Sequence, residues 1–235
     1  MENVPERREP TLRISRTHFP VETLGPGRRL VIWSQGCGLA CAGCMSRHTW
    51  DPLGGADRTV PSLLGLWRAA LARGADGLTV SGGEPLDQPA ALAALLAGAA
   101  RARAEAVAPG GPAAGREIDL LLYTGYEEGE VAGDPARRAA VRHADALVTG
   151  RFRAAEPTAL VWRGSANQRL LPRTARGRAR YREHLARTES GPRLQMVEGE
   201  GDVLLYGVPG RGELAALERR LRRVGITLTG ASWRP

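Results

Sequence analysis

Residues 34–51 read Ser34-Gln35-Gly36-Cys37-Gly38-Leu39-Ala40-Cys41-Ala42-Gly43-Cys44-Met45-Ser46-Arg47-His48-Thr49-Trp50-Asp51, and they hold every cysteine of the 235-residue chain. A disulfide framework uses an even number of cysteines spread along a chain; an odd set crowded into eight residues points to metal ligation. The spacing is Cys-x3-Cys-x2-Cys. Three thiolates on a tight loop suit three irons of a 4Fe–4S cube, for which thiolate is the usual ligand. The fourth iron then has no protein ligand, and an open metal position is what a substrate-binding site needs. Gly36, Gly38 and Gly43 let the backbone turn around so bulky a group. With His48 the same cysteines also make a Cys3His zinc set, although zinc sites usually space their ligands as two separated pairs.

Outward from this loop the chain alternates short apolar runs with helical stretches. Leu30 to Ser34 reads as a strand running into the cysteines. Pro61 to Arg73 carries apolar residues at helical spacing between a proline and Gly74. Gly77 to Ser81 is a strand ending at Gly82-Gly83, and Pro89 to Ala106 is an alanine- and leucine-rich helix. Ile118 to Tyr123 and Ala146 to Thr149 are further strands, separated by a helical segment, Glu127 to His143, with a break expected at Pro135. Strand, glycine-bearing loop and helix in repetition imply an α/β fold with a parallel sheet. Ligands in such sheets bind beyond the carboxyl ends of the strands. Four distinctive loops are expected to converge there: the cysteine loop, Gly82-Gly83-Glu84-Pro85, Thr124-Gly125-Tyr126 and Thr149-Gly150-Arg151.

Composition narrows the chemistry. All 33 basic residues are arginine, the net charge is +8, and the isoelectric point is about 10.5. Without lysine there is no lysine Schiff base, so pyridoxal phosphate catalysis is excluded, and so is a standard P-loop. The densest basic stretch, Arg169 to Arg187, has one aromatic and no nucleic-acid motif, so nucleic acid is not expected as a partner. No apolar run approaches the roughly 18 residues of a membrane span. The opening MENVPERREP has no apolar core of a secretory signal, and a cytoplasmic location is the expectation.

The cysteine spacing in a glycine-rich loop after a strand resembles the radical S-adenosylmethionine (SAM) superfamily, and Ser81-Gly82-Gly83-Glu84-Pro85 resembles that superfamily's GGE-type motif. Four further strings resemble the activating-enzyme branch of anaerobic ribonucleotide reductase. They are Thr49-Trp50-Asp51, Leu122-Tyr123-Thr124-Gly125-Tyr126 with Val148-Thr149-Gly150-Arg151-Phe152, and the RGSxNQR-like Arg163-Gly164-Ser165-Ala166-Asn167-Gln168-Arg169. Departures from the pattern are Met45, where that branch often has an aromatic, and Thr149, where an acid is usual. The resemblance, over roughly Pro20 to Leu170, implies a partial parallel (β/α) barrel. It implies a 4Fe–4S cluster on Cys37, Cys41 and Cys44, and SAM held near Gly82, Gly83, Glu84, Thr124, Gly125, Gly150 and Arg163. It implies reductive cleavage of SAM to methionine and a hydrogen-abstracting 5′-deoxyadenosyl radical. The implied partners are an external flavodoxin- or ferredoxin-like electron donor and a glycyl-radical enzyme.

On this reading residues 1–169 form the core with cluster and SAM site. Residues 170–235 form a short α+β extension that contacts substrate or partner. In the extension Arg193 to Val197 and Val203 to Val208 read as paired strands. Gly212 to Val224 reads as an amphipathic helix with Leu214, Leu217 and Leu221 on one face. His143 and His184 are given no role. Two other functions stand beside the activase: a radical SAM enzyme acting on a small molecule or ribosomal peptide, and a non-catalytic zinc or iron–sulfur module.

Overall fold

The structure, a computed structural model, describes residues 9–188, 193–199 and 203–231. Strands β1 (Thr11–Val21), β2 (Arg29–Ser34) and β3 (Ala56–Thr59) come first, with the cysteine loop between β2 and β3. Then follow α1 (Val60–Ala72), β4 (Gly77–Gly82), α2 (Pro89–Val107) and β5 (Asp119–Tyr123). Two short helices, α3 (Glu128–Gly133) and α4 (Pro135–Ala140), lead to β6 (Ala146–Thr149). The remainder comprises β7 (Arg169–Pro172), α5 (Ala175–Tyr181), the hairpin strands β8 (Leu194–Glu198) and β9 (Val203–Gly207), and α6 (Glu213–Arg223).

Local chemistry sets several boundaries. The Thr59 side chain accepts from the Ser62 amide at the start of α1, and Pro61 occupies its first turn, where a missing N–H costs nothing. The expected break at Pro135 is there: Asp134 caps α4 by accepting from the amides of Ala136 and Arg137.

Seven strands form one open sheet in the order β3-β1-β2-β4-β5-β6-β7. The four central strands, β2, β4, β5 and β6, are parallel. β1 and β3 on one side and β7 on the other are antiparallel additions. The expected α/β sheet is therefore present, with mixed edges rather than a purely parallel one. The cysteine loop follows the second strand of the chain.

Alternation of side chains puts two faces on each central strand. Leu30, Ile32, Leu78, Val80, Leu120 and Leu122 point into a core shared with α1 and α2. On the other face Val31 and Trp33 pack with Tyr206 of β9, and Leu121 and Val148 with Trp162 and Tyr181. Both faces are covered, which is why these strands read as unbroken apolar runs. Each fully buried aliphatic contributes about 1.5–3 kcal/mol.

The second face carries the news about the tail. The expected division after Arg169 falls within β7, whose Leu170 pairs with Val148 of β6. The basic stretch then continues as α5, which buries Tyr181 completely. Beyond α5, the β8–β9 hairpin lies against the early sheet. Tyr206 stacks on Trp33 at 4.7 Å between ring centroids, Gln195 donates to the Pro20 carbonyl, and the Thr23 hydroxyl donates to the Tyr206 carbonyl. Among the described residues no helix is long and apolar enough to cross a membrane.

Candidate metal and cofactor site

The site begins with strand register. Ser34, the last residue of β2, lies opposite Gly82, the last of β4, so the cysteine loop and the Gly82-Gly83-Glu84-Pro85 loop leave the sheet side by side. They are stitched together: the Gly83 amide donates to the Ser34 carbonyl at 2.9 Å and the Glu84 amide to the Gly36 carbonyl at 2.8 Å. The cysteine loop is closed at its neck. Gly36 donates to the Thr49 carbonyl, Cys37 to the Trp50 carbonyl, and the Gln35 amide group to the carbonyls of His48 and Asp51. Thr49-Trp50-Asp51 therefore completes the loop through its backbone.

All three cysteines are free thiols of intermediate exposure. Burial raises the Cys37 thiol pKa, against backbone N–H groups of Leu39 and Ala40 that lower it. Cys44 is raised likewise, against hydrogen bonds from the Ser46 amide and the Trp50 side chain. N–H donors aimed at sulfur stabilise thiolate, the form that binds metal. Among the described residues no three His, Cys, Asp or Glu side chains gather as ligands of one ion do. Three thiolates on one short loop, each able to hold a different iron of a cube, fit a 4Fe–4S cluster.

Glu84 is the junction of the next two loops. It is 1% exposed. Its carboxylate accepts from the Leu86 amide, the Thr124 hydroxyl and the Gly125 amide. Burial pushes it up to about 7 in spite of those donors, so it is poised to ionise beside an incoming cation. The fourth loop joins through the Gly150 amide, which donates to the Tyr126 carbonyl. Gln168 in turn donates to the Gly150 carbonyl. The structure thus brings Cys37, Cys41, Cys44, Gly82, Gly83, Glu84, Thr124, Gly125 and Gly150 to one edge of the sheet.

Arg163 is held by other bonds. Its guanidinium is buried and donates to the carbonyls of Val161, His184 and Leu185, tying the chain after α5 to the core. Two participants escaped the sequence reading. Asp87 accepts from the Tyr126 hydroxyl at 2.8 Å and from the Gly38 amide at 3.5 Å, linking the third loop to the cysteine loop. Gln35 holds the loop neck. Only its place beside the first glycine of the cysteine loop could have signalled it.

Gly83 marks the tightest crossing. A Cβ there would lie inside contact distance of the Gly36 carbonyl oxygen and 3.0 Å from the Thr49 carbonyl oxygen, both backbone atoms. Gly83→Ala is expected to cost about 1–3 kcal/mol, read as a lowered unfolding midpoint. Gly38→Ala, whose Cβ would meet nothing within 4 Å, is expected to leave the midpoint unchanged.

A cavity of about 840 Å³ opens beside this edge. Cys44, Met45, Ser81, Trp33 and Tyr123 line one side, and residues of β9 and α6 line the other.

Residues 23–171 match the family described as 4Fe-4S single cluster domain. The chain is 34% identical over 158 residues to the anaerobic ribonucleoside-triphosphate reductase-activating protein of Pasteurella multocida, covering 64% of this chain and 92% of the relative. The protein of the same name from Vibrio cholerae is 33% identical with the same coverage. The pyruvate formate-lyase-activating enzyme of Clostridium pasteurianum is 41% identical over 75 residues, 31% of this chain and 32% of the relative.

Proposed function

Because this chain belongs to the 4Fe-4S single cluster domain family, alongside the activating proteins of glycyl-radical enzymes, we propose that it is a radical SAM activase that installs a glycyl radical on a partner enzyme. In this reading Cys37, Cys41 and Cys44 would hold three irons of a 4Fe–4S cluster, leaving an open iron that would bind SAM. When bound and reduced, the cluster supplies the electron that cleaves SAM to methionine and a 5′-deoxyadenosyl radical, which takes a hydrogen atom from a glycine Cα.

The chain's own residues bind and orient. Gly82 and Gly83 bring the backbone close to the cysteine loop. Glu84, held by Thr124 and Gly125, would ionise to pair with the amino group of SAM. Gly150 closes the same edge. Arg163 would act by fastening the chain after α5 to the core. We read the sheet as the superfamily's partial barrel, an external flavodoxin- or ferredoxin-like protein as electron donor, and the cytoplasm as location.

One observation carries this reading: the four strand-end loops are joined by hydrogen bonds into a single edge, with the buried Glu84 carboxylate at the junction. The test is electron paramagnetic resonance. The reconstituted, reduced protein with SAM is mixed with an anaerobic ribonucleotide reductase. A glycyl radical signal on the reductase is expected. Its absence, with SAM still being cleaved, would move the activity to another substrate.

A further inference from the structure

The cavity beside Cys44 has a roof that the family match does not include. That match ends at residue 171, whereas β8, β9 and α6 begin at Leu194. Their side chains Leu204, Tyr206, Leu214, Leu217 and Leu221 line the cavity opposite Trp33 and Cys44. The apolar face of α6 is thereby accounted for. None of its residues is fully buried, because its leucines look onto this space instead of a packed core.

Charge in the chamber is one-sided. Arg16 and Arg211 line it, and no Asp or Glu does among the described residues. Arg16 is the informative one. It lies on β1 opposite Trp33, lines the same chamber as Tyr206 of the roof, and its buried Nε has no hydrogen-bond partner. The Tyr123 hydroxyl, on the same chamber's wall, is also buried without a partner. A buried donor left unpaired is costly, and a carboxylate is the group that best matches a guanidinium. Size sets a second condition. The chamber's roughly 840 Å³, which substrate would share with the cluster on Cys44 and SAM, lies within the range of small-molecule pockets, which run to about 1,000 Å³. A folded partner cannot enter, but an extended segment can.

Resting on the activase reading, we propose that the chamber roofed by β8, β9 and α6 is a substrate pocket. It takes an extended polypeptide segment by an apolar side chain, set against the α6 leucines, and by a carboxylate paired with Arg16. The roof makes this chain selective for the sequence around the target glycine.

Calorimetry on the reconstituted protein with SAM tests it. The probes are a blocked glycine-bearing peptide with leucine and glutamate neighbours, its glutamine counterpart, and octanoate. The glutamate peptide should bind about tenfold tighter than the glutamine one. Arg16→Gln should erase that preference and Arg16→Lys largely keep it, both with unchanged iron content. Leu217→Asp should weaken both peptides. Equal binding of the two peptides, a preference that survives Arg16→Gln, or octanoate binding as tightly as the glutamate peptide would overturn the proposal. Deuterated glycine in the same peptide separates the two readings. Selective binding with no deuterium reaching 5′-deoxyadenosine keeps the pocket and sinks the activase. A glycyl radical on the reductase without peptide preference does the reverse.

Discussion

Changing any one of Cys37, Cys41 or Cys44 to alanine is expected to abolish the 4Fe–4S cluster and, with it, all SAM cleavage. The chain has only these three cysteines, so no spare thiol can take over a vacated iron. The loss should be specific to ligation. The loop neck is held by the amides of Gly36 and Cys37 and by the Gln35 side chain, none of which an alanine at these positions removes. Metal-free variants should therefore unfold within about 0.5 kcal/mol of the metal-free parent. Iron and sulfide analysis after anaerobic reconstitution, together with a denaturant titration, reads both quantities. A cube retained in two of the three variants would overturn the ligand assignment. A large drop in metal-free stability would mean that the cysteines serve the fold.

The second large effect lies at the opposite edge of the sheet. Arg29 opens β2 and Asp119 opens β5, with Gly77 of β4 between them in register. A side chain on Gly77 would collide with the Arg29 guanidinium, so the glycine is the gap through which the arginine reaches Asp119. The guanidinium donates to both carboxylate oxygens of Asp119, at 3.0 and 2.8 Å, and to the Thr79 hydroxyl. Tyr181 of α5 donates its hydroxyl to the same carboxylate. Both charged side chains are fully buried. Asp119→Asn keeps the shape and removes the charge, leaving a buried cation uncompensated. The expected cost is about 3–5 kcal/mol, a large share of the roughly 5–15 kcal/mol that stabilises a domain. Replacing both partners by apolar residues, as in Arg29→Met with Asp119→Leu, should cost much less, since the desolvation penalty disappears with the pair. Denaturant unfolding of the three variants decides it; a double variant no better than Asp119→Asn would contradict this account of the pair.

How far such features are legible in sequence depends on what each residue is asked to do. β2, β4, β5 and β6 were readable because burial on both faces makes them apolar throughout. The cysteine loop and the glycine-rich loops were readable because cluster chemistry and close backbone crossings restrict residue type. β3, Ala56–Thr59, was missed because Ala-Asp-Arg-Thr carries no apolar signal; it is largely exposed and held by backbone pairing to β1. β1 was missed for a related reason. Its residues are mostly half-buried, so Arg13, Arg16 and His18 break the alternation that would mark a strand. In β7 and α5 the arginines dominate the composition and hide Leu170 and Tyr181, the two residues that bury. Arg163 shows the converse limit. Nothing local reveals that His184 and Leu185, some twenty residues on, present their carbonyls to it. The same holds for Arg16, whose significance depends on a roof supplied by residues nearly two hundred positions away.

Whether this edge of the sheet holds a cluster able to cleave SAM is read from the nucleoside product. The anaerobically reconstituted protein, reduced with dithionite and given SAM, is followed by chromatography for 5′-deoxyadenosine and methionine. The account predicts both products in equal amounts, formed slowly by the protein alone and absent from the Cys41→Ala variant. An intact, reduced cluster that yields no 5′-deoxyadenosine, even with the reductase present, would contradict it.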